Sequence, residues 1–211
     1  MTNRKTYIER LIERGETQKQ DFKFEVSDSK KIARSISAFA NTDGGKLLVG
    51  IKDNGVVAGV RSEEEVHMLE AAAQLYCRPE IPLKFTQWQL DGKKILEVDI
   101  AKTEEVLVMA PDRNEVYKVF VRVKDENILA NGIFIKNWEQ KKAGRAVDIQ
   151  YAEIEKAFIK TLEKHQPINF SQLRKKLEIP PQKLNQLILD FMMIDMVELE
   201  ITEKAYSYKL V

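Results

Sequence analysis

One cysteine, two histidines, nine glycines and six prolines stand in a chain of 211 residues, and these scarcities close off several functions. Cys77 by itself cannot form an internal disulfide, and together with His67 and His165 it is too small a set of soft ligands for a structural zinc site. No apolar run approaches the roughly 18 residues that a membrane span needs, and no basic segment leads into an apolar one. A cytoplasmic location without a membrane partner is therefore expected. Charge of one sign is missing too: 34 Lys+Arg against 33 Asp+Glu leave a net +1, whereas a dedicated nucleic-acid binder usually carries a clear basic excess. No Gly-x-x-x-x-Gly-Lys-Ser/Thr loop is present to cradle a nucleotide.

What remains is an ordinary core-forming mixture, 44% hydrophobic and 32% charged, enough for one large or two modest domains. The most informative stretch runs from Ile32 to Ile51. Apolar residues at 32, 33, 36, 39 and 40 follow helical spacing, and Asp28 or Ser29 can cap the start. Asn41, Gly44 and Gly45 tolerate the backbone that ends a helix, and Lys46 to Ile51 reads as a strand. Asp53-Asn54-Gly55 followed by Val56 to Val60 predicts a hairpin, because Asn-Gly favours two-residue turns.

Four ordered blocks now coincide: Glu16 through Asp21-Phe22-Lys23, the Ser-Ala-Phe-Ala-Asn-Thr-Asp-Gly-Gly core at 37–45, Gly-Ile-Lys-Asp-Asn-Gly at 50–55, and Val119 to Asn127 with Ala130. Over about residues 15–132 the chain resembles the Schlafen/AlbA-like domain, which occurs in bacterial DNA-binding regulators and in the nuclease core of vertebrate Schlafen proteins. The resemblance implies a nucleic-acid partner. In nuclease members three acids hold a divalent metal, and here these positions fall on Glu16, Asp21 and Asp53, with Lys23 beside them to counter phosphate charge. Asp21 stands where a glutamate is expected, one methylene shorter. Magnesium or manganese is implied only if the chain is a nuclease; otherwise no cofactor is expected. Asp53 has an equal explanation in the turn itself.

The rest of the pattern is α+β. A short amphipathic helix spans residues 1–14, and a second follows Glu63-Glu64-Glu65 with Val66, Leu69, Ala72 and Ala73 on one side. Leu83–Leu90 and Lys94–Ile100 flank Asp91-Gly92 as a hairpin, and Val116 to Val123 adds a strand. We expect a mixed-sheet Schlafen/AlbA-like domain at 1–135, a polar linker at 136–148, and a small winged-helix domain at 149–211. In that last domain Tyr151 to Lys164, a helix capped by Ser171, and a third helix opened by Pro180-Pro181 precede two strands, 197–201 and 206–210.

Phosphate contacts are expected from Lys23, Lys30, Lys31, Arg34, Lys46 and Arg122, with Asn41 at the corner. The early residues of the third helix, Gln182, Lys183, Asn185 and Gln186, have the chemistry to meet base edges. Lysines 156, 160, 164, 175, 176, 183, 204 and 209 with Arg174 are matched by acids at 153, 155, 163, 178, 190, 195, 198, 200 and 203, so this region has no net charge. The expected function is transcriptional regulation by a homodimer bound to DNA. The rivals are a metal-dependent endonuclease on RNA or DNA and a protein-interaction adaptor.

Overall fold

Residues 6–211 are described by a computed structural model. The chain divides into two units, the first ending at Leu129 and the second covering Ala130–Val211.

Thr6 opens α1 (Tyr7–Arg14) with a capping box shared with Glu9, and Gly15 closes it. The helix expected from residue 1 lies in its first part outside the described residues. The unit continues with β1 (Gln20–Lys23), α2 (Ser29–Ala40), β2 (Gly45–Val49), α3 (Glu64–Leu75), β3 (Leu83–Leu90), β4 (Lys93–Ile100), β5 (Met109–Pro111), β6 (Tyr117–Val123) and β7 (Glu126–Leu129). Asp28 caps α2 by accepting from the Lys31 amide. One sheet has the order β1-β2-β4-β3, parallel at β1/β2 and antiparallel elsewhere; an antiparallel sheet β5-β6-β7 accompanies it.

Alternation along β2 sends Leu47 and Val49 into a core with Ile32, Ile36 and Phe39 of α2 and Leu69 of α3, while Leu48 packs on the other face with Ile8 and Leu11 of α1. Each such buried aliphatic side chain contributes roughly 1.5–3 kcal/mol. The first helix thus finds its apolar partner within its own unit.

The hairpin expected at 50–60 does not form as a ladder. Only Ile51 and Val57 make an isolated bridge, around a turn closed by Gly55 N–H to Lys52 O at 2.7 Å. The reason is that both edges of β2 are already occupied, by β1 and by β4, so residues 56–60 have no free strand edge. The hairpin of β3 and β4 does form, with Asp91 and Gly92 both at positive φ in the turn.

The second unit contains α4 (Gly132–Lys142), α5 (Glu153–His165), β8 (Ile168–Asn169), α6 (Phe170–Leu177), α7 (Pro181–Met193), β9 (Val197–Ile201) and β10 (Tyr206–Leu210), with a sheet of order β8-β10-β9. Phe158, Leu162, Leu173, Leu184, Ile188, Phe191 and Tyr208 fill its core. Two expectations are corrected. The stretch expected as a linker from 136 begins inside α4, which Asn131 caps and which places Ile133 in this core. The cap of α6 is Asn169, in a capping box with Gln172, and not Ser171.

Candidate nucleic-acid interface

The corner after α2 is built from side chains that bond to backbone. Asn41 Nδ2 donates to Val108 O and Phe120 O, both at 2.8 Å, and its Oδ1 accepts from Val108 N at 2.7 Å. Ser37 Oγ donates to Val108 O at 2.7 Å, and Thr42 Oγ1 accepts from Arg122 N at 2.9 Å. Asn41 therefore locks α2 to β6 and to the segment leading into β5, a structural task for a residue expected at the ligand contact. Gly44 lies at φ +67°, and a Cβ there would stand 2.9 Å from Ile100 O; a Cβ on Gly45 would collide with the Phe39 ring and come within 2.9 Å of Lys19 O. Both glycines are set by this close approach.

Beneath the corner lies a charged knot. Asp21, 3% exposed, forms an ion pair with Lys23 and lies 3.3 Å from the Arg122 guanidinium, itself 2% exposed. Arg122 also donates to Asn127 Oδ1 at 2.9 Å and sits over the Phe39 ring, 4.9 Å from its centroid. Glu16 accepts from Phe22 N at 2.9 Å. Its carboxyl is pushed above the usual range, first by burial and then by its hydrogen bond with Asp21.

Asp53 does not join them. It is exposed in the 52–55 turn, and no group of three His, Cys, Asp or Glu side chains suited to a metal ion forms among the described residues. A divalent cation needs several converging oxygens with charge to spare, whereas Lys23 and Arg122 already balance the two acids that do meet. The residues present do not fit the metal site implied for nuclease members, and no hydrolytic step is derived through one.

The expected phosphate contacts fare unequally. Arg122 is buried and Lys23 donates to Phe22 O at 2.8 Å in addition to its ion pair. Lys46 lies between Glu97, at 2.5 Å, and Asp99. Burial works against its charge, yet its hydrogen bonds to Asp99 and Glu97 push its proton affinity well up. Lys30 pairs with Glu115, and Arg34 donates to Pro111 O at 3.0 Å. Lys31 alone among these is both exposed and outside any ion pair in the described residues.

Glu97, which the sequence did not single out, is 2% exposed and accepts from Tyr7 Oη at 2.9 Å and Trp88 Nε1 at 2.6 Å as well as from Lys46. Burial favours its neutral form, but the bonds from Lys46, Trp88 and Tyr7 prevail and hold the carboxyl below its usual range. A lone glutamate in a strand gives no periodic signal of this role.

Of the expected base readers at the start of α7, Gln182 and Lys183 are exposed, while Asn185 and Gln186 are half-buried. α4 packs along this helix, and Lys136, Glu139 and Gln140 line a cleft with Gln182, Asn185, Gln186 and Leu189. Leu189 is 3% exposed, and Gln186 donates to Asp190 at 2.6 Å. Lys183 lies 3.7 Å from Glu155. No described helix is long and apolar enough to cross a membrane.

A family model described as Schlafen, AlbA_2 matches residues 16–131. No curated protein gives a significant match. Among solved structures, the DIP2311 protein from Corynebacterium diphtheriae is similar at 15% identity and a TM-score of 0.49, covering 95% of this chain and 37% of its own. The N-terminal domain of an ATP-dependent DNA helicase RecG-related protein from Nitrosomonas europaea is similar at 22% identity and a TM-score of 0.37, covering 52% of this chain and 79% of its own. The chain thus spans little more than a third of the length of the DIP2311 protein.

Proposed function

The chain belongs to the Schlafen, AlbA_2 family, and from that premise we propose a nucleic-acid-binding protein that recognises its ligand without cutting it. The observation that carries this reading is that the implied acids do not gather: Asp53 stands exposed in the 52–55 turn apart from Glu16 and Asp21, and Arg122 is buried against Asp21. The reading extends to a cytoplasmic transcriptional regulator acting on DNA as a homodimer. It is supported by the element order of the second unit: helix, short strand, two helices and a two-stranded hairpin, the order of a winged helix.

A salt titration of binding to mixed-sequence duplex DNA tests it. Phosphate contacts release counterions, so affinity must fall steeply as salt rises. Measurable binding at low salt with a negative slope is expected; no binding there overturns the reading. Incubation with labelled transfer RNA and single-stranded DNA in manganese is expected to leave both intact. Metal-dependent cleavage abolished by Asp21→Asn would establish the nuclease instead.

A further inference from the structure

From residue 151 onward the second unit carries as many acids as cations, but they are not spread evenly. Between residues 160 and 178 stand Lys160, Lys164, Arg174, Lys175 and Lys176, against the two acids Glu163 and Glu178, the latter at the C-cap of α6. Lys164 and His165 occupy the last turn of α5, Arg174, Lys175 and Lys176 the last turn of α6, and the two helices pack together. All five cations are exposed, and among the described residues none lies within ion-pair distance of a carboxylate.

Six other acids of the unit are engaged: Glu153 with Lys156, Glu155 with Lys183, Asp190 with Arg145, Asp195 with Lys141, and Glu198 and Glu200 with Lys209. Five cations against two acids thus give this stretch a local excess that the overall balance conceals. A cation at a helix C-terminus offsets the partial negative charge there, and one per helix would serve. The crowding goes further: the exposed His165 is made harder to protonate, first by desolvation and then by the Lys176 and Lys164 ammonium groups. Lys176 on α6 and Lys164 on α5 thus bear on one spot.

We propose that this α5–α6 face, and not the start of α7 beside the cleft lined by α4, is where the second unit grips the phosphate backbone of a nucleic acid. The proposal rests on the nucleic-acid reading above and locates its contact surface. Ammonium and guanidinium groups on two adjoining helix ends can each meet a phosphate oxygen without reading bases. A run of exposed cations without sequence-reading partners suits backbone contact of this sort. Duplex DNA and single-stranded RNA present the same phosphate chemistry, and the two are separated by experiment.

The test measures fluorescence anisotropy of a labelled mixed-sequence DNA duplex, and in a second arm a labelled single-stranded RNA, with the full chain across a range of salt. The variant Arg174→Gln/Lys175→Gln/Lys176→Gln is compared with Lys84→Gln/Lys102→Gln/Arg113→Gln, which removes equal charge from exposed positions of the first unit. A third variant is Gln182→Ala/Asn185→Ala on α7. Circular dichroism checks that each variant is folded. For the duplex, loss of three phosphate contacts is expected to lower the salt slope by about 2.7 and affinity by at least roughly tenfold. The other two variants are expected to change affinity less than about twofold.

Equal losses from both triple variants would reduce the effect to net charge and overturn the proposal, as would an unchanged slope in the α6 variant while the parent chain binds. If the parent chain binds neither duplex nor RNA at low salt, the nucleic-acid reading itself falls, and the proposal with it. A loss confined to one arm names that nucleic acid as the ligand.

Discussion

Arg122 shows how far a residue's role depends on what surrounds it. Its sequence context is a strand ending in a cation before a polar turn, which suits a phosphate contact, but its guanidinium is buried against Asp21, Asn127 and the Phe39 ring. Removing one member of a buried pair strands the other charge. Arg122→Ala is expected to cost about 3 kcal/mol in urea unfolding, the low end for such pairs because Lys23 still faces Asp21. Arg122→Lys should recover little of this, since an ammonium cannot reproduce the planar fork.

Glu97 carries a pH dependence whose sign is fixed by its environment. Its carboxyl is held below the usual value near 4.5 in the folded state, so folding gains stability above that value and loses it as pH falls through the lower, folded one. Unfolding measured from neutral pH downward is expected to show a loss of stability below about pH 4.5 that is flatter in Glu97→Gln. An identical acid limb in both proteins would remove Glu97 from the account.

At the scale of elements, the corner between α2 and β2 is the tightest joint of the first unit. A methyl group at Gly45 must displace the Phe39 ring or the backbone at Lys19, and neither is the free end of a flexible side chain. Gly45→Ala is expected to destabilise by about 3 kcal/mol, the upper part of the range for overpacked cores, read from thermal or urea unfolding. Local signals made this joint legible: helical spacing at 32–40, an Asp cap, then glycines. The same signals made β3, β4, α3 and α7 legible.

They failed at α4, because Lys136, Asn137, Glu139 and Gln140 look like a solvated linker, and their helix gains its stability from docking against α7. They failed again at 56–60, where Asn-Gly specifies a turn but a ladder also needs an open strand edge. A two-residue turn can be read locally; the availability of an edge cannot.

Across the molecule, the two units each own a core. Ile32, Phe39 and Leu69 belong to one, Phe158, Leu184 and Phe191 to the other. A fragment covering residues 130–211 is expected to unfold cooperatively by itself in urea, with Phe158→Ala lowering its stability by about 3–5 kcal/mol. A gradual, non-cooperative loss of helix signal from the fragment would contradict an independent core.

The whole-molecule view also changes what neutrality means. A net charge of +1 argues against nucleic acid when charges are taken as mixed. Ion pairing consumes Lys23, Lys30, Lys46 and Arg122 in the first unit, while the exposed α5–α6 cations of the second form no ion pair among the described residues.

By itself the sequence determined the α+β class, most helices and strands, the glycine corner and the family resemblance, because these depend on spacing and backbone preference within a few neighbours. Only the tertiary structure decided which charges are free. Whether a lysine meets a phosphate or a carboxylate is a matter of what lies within a few ångströms of its ammonium group. Asp21 and Arg122, a hundred residues apart in the chain, meet only after folding.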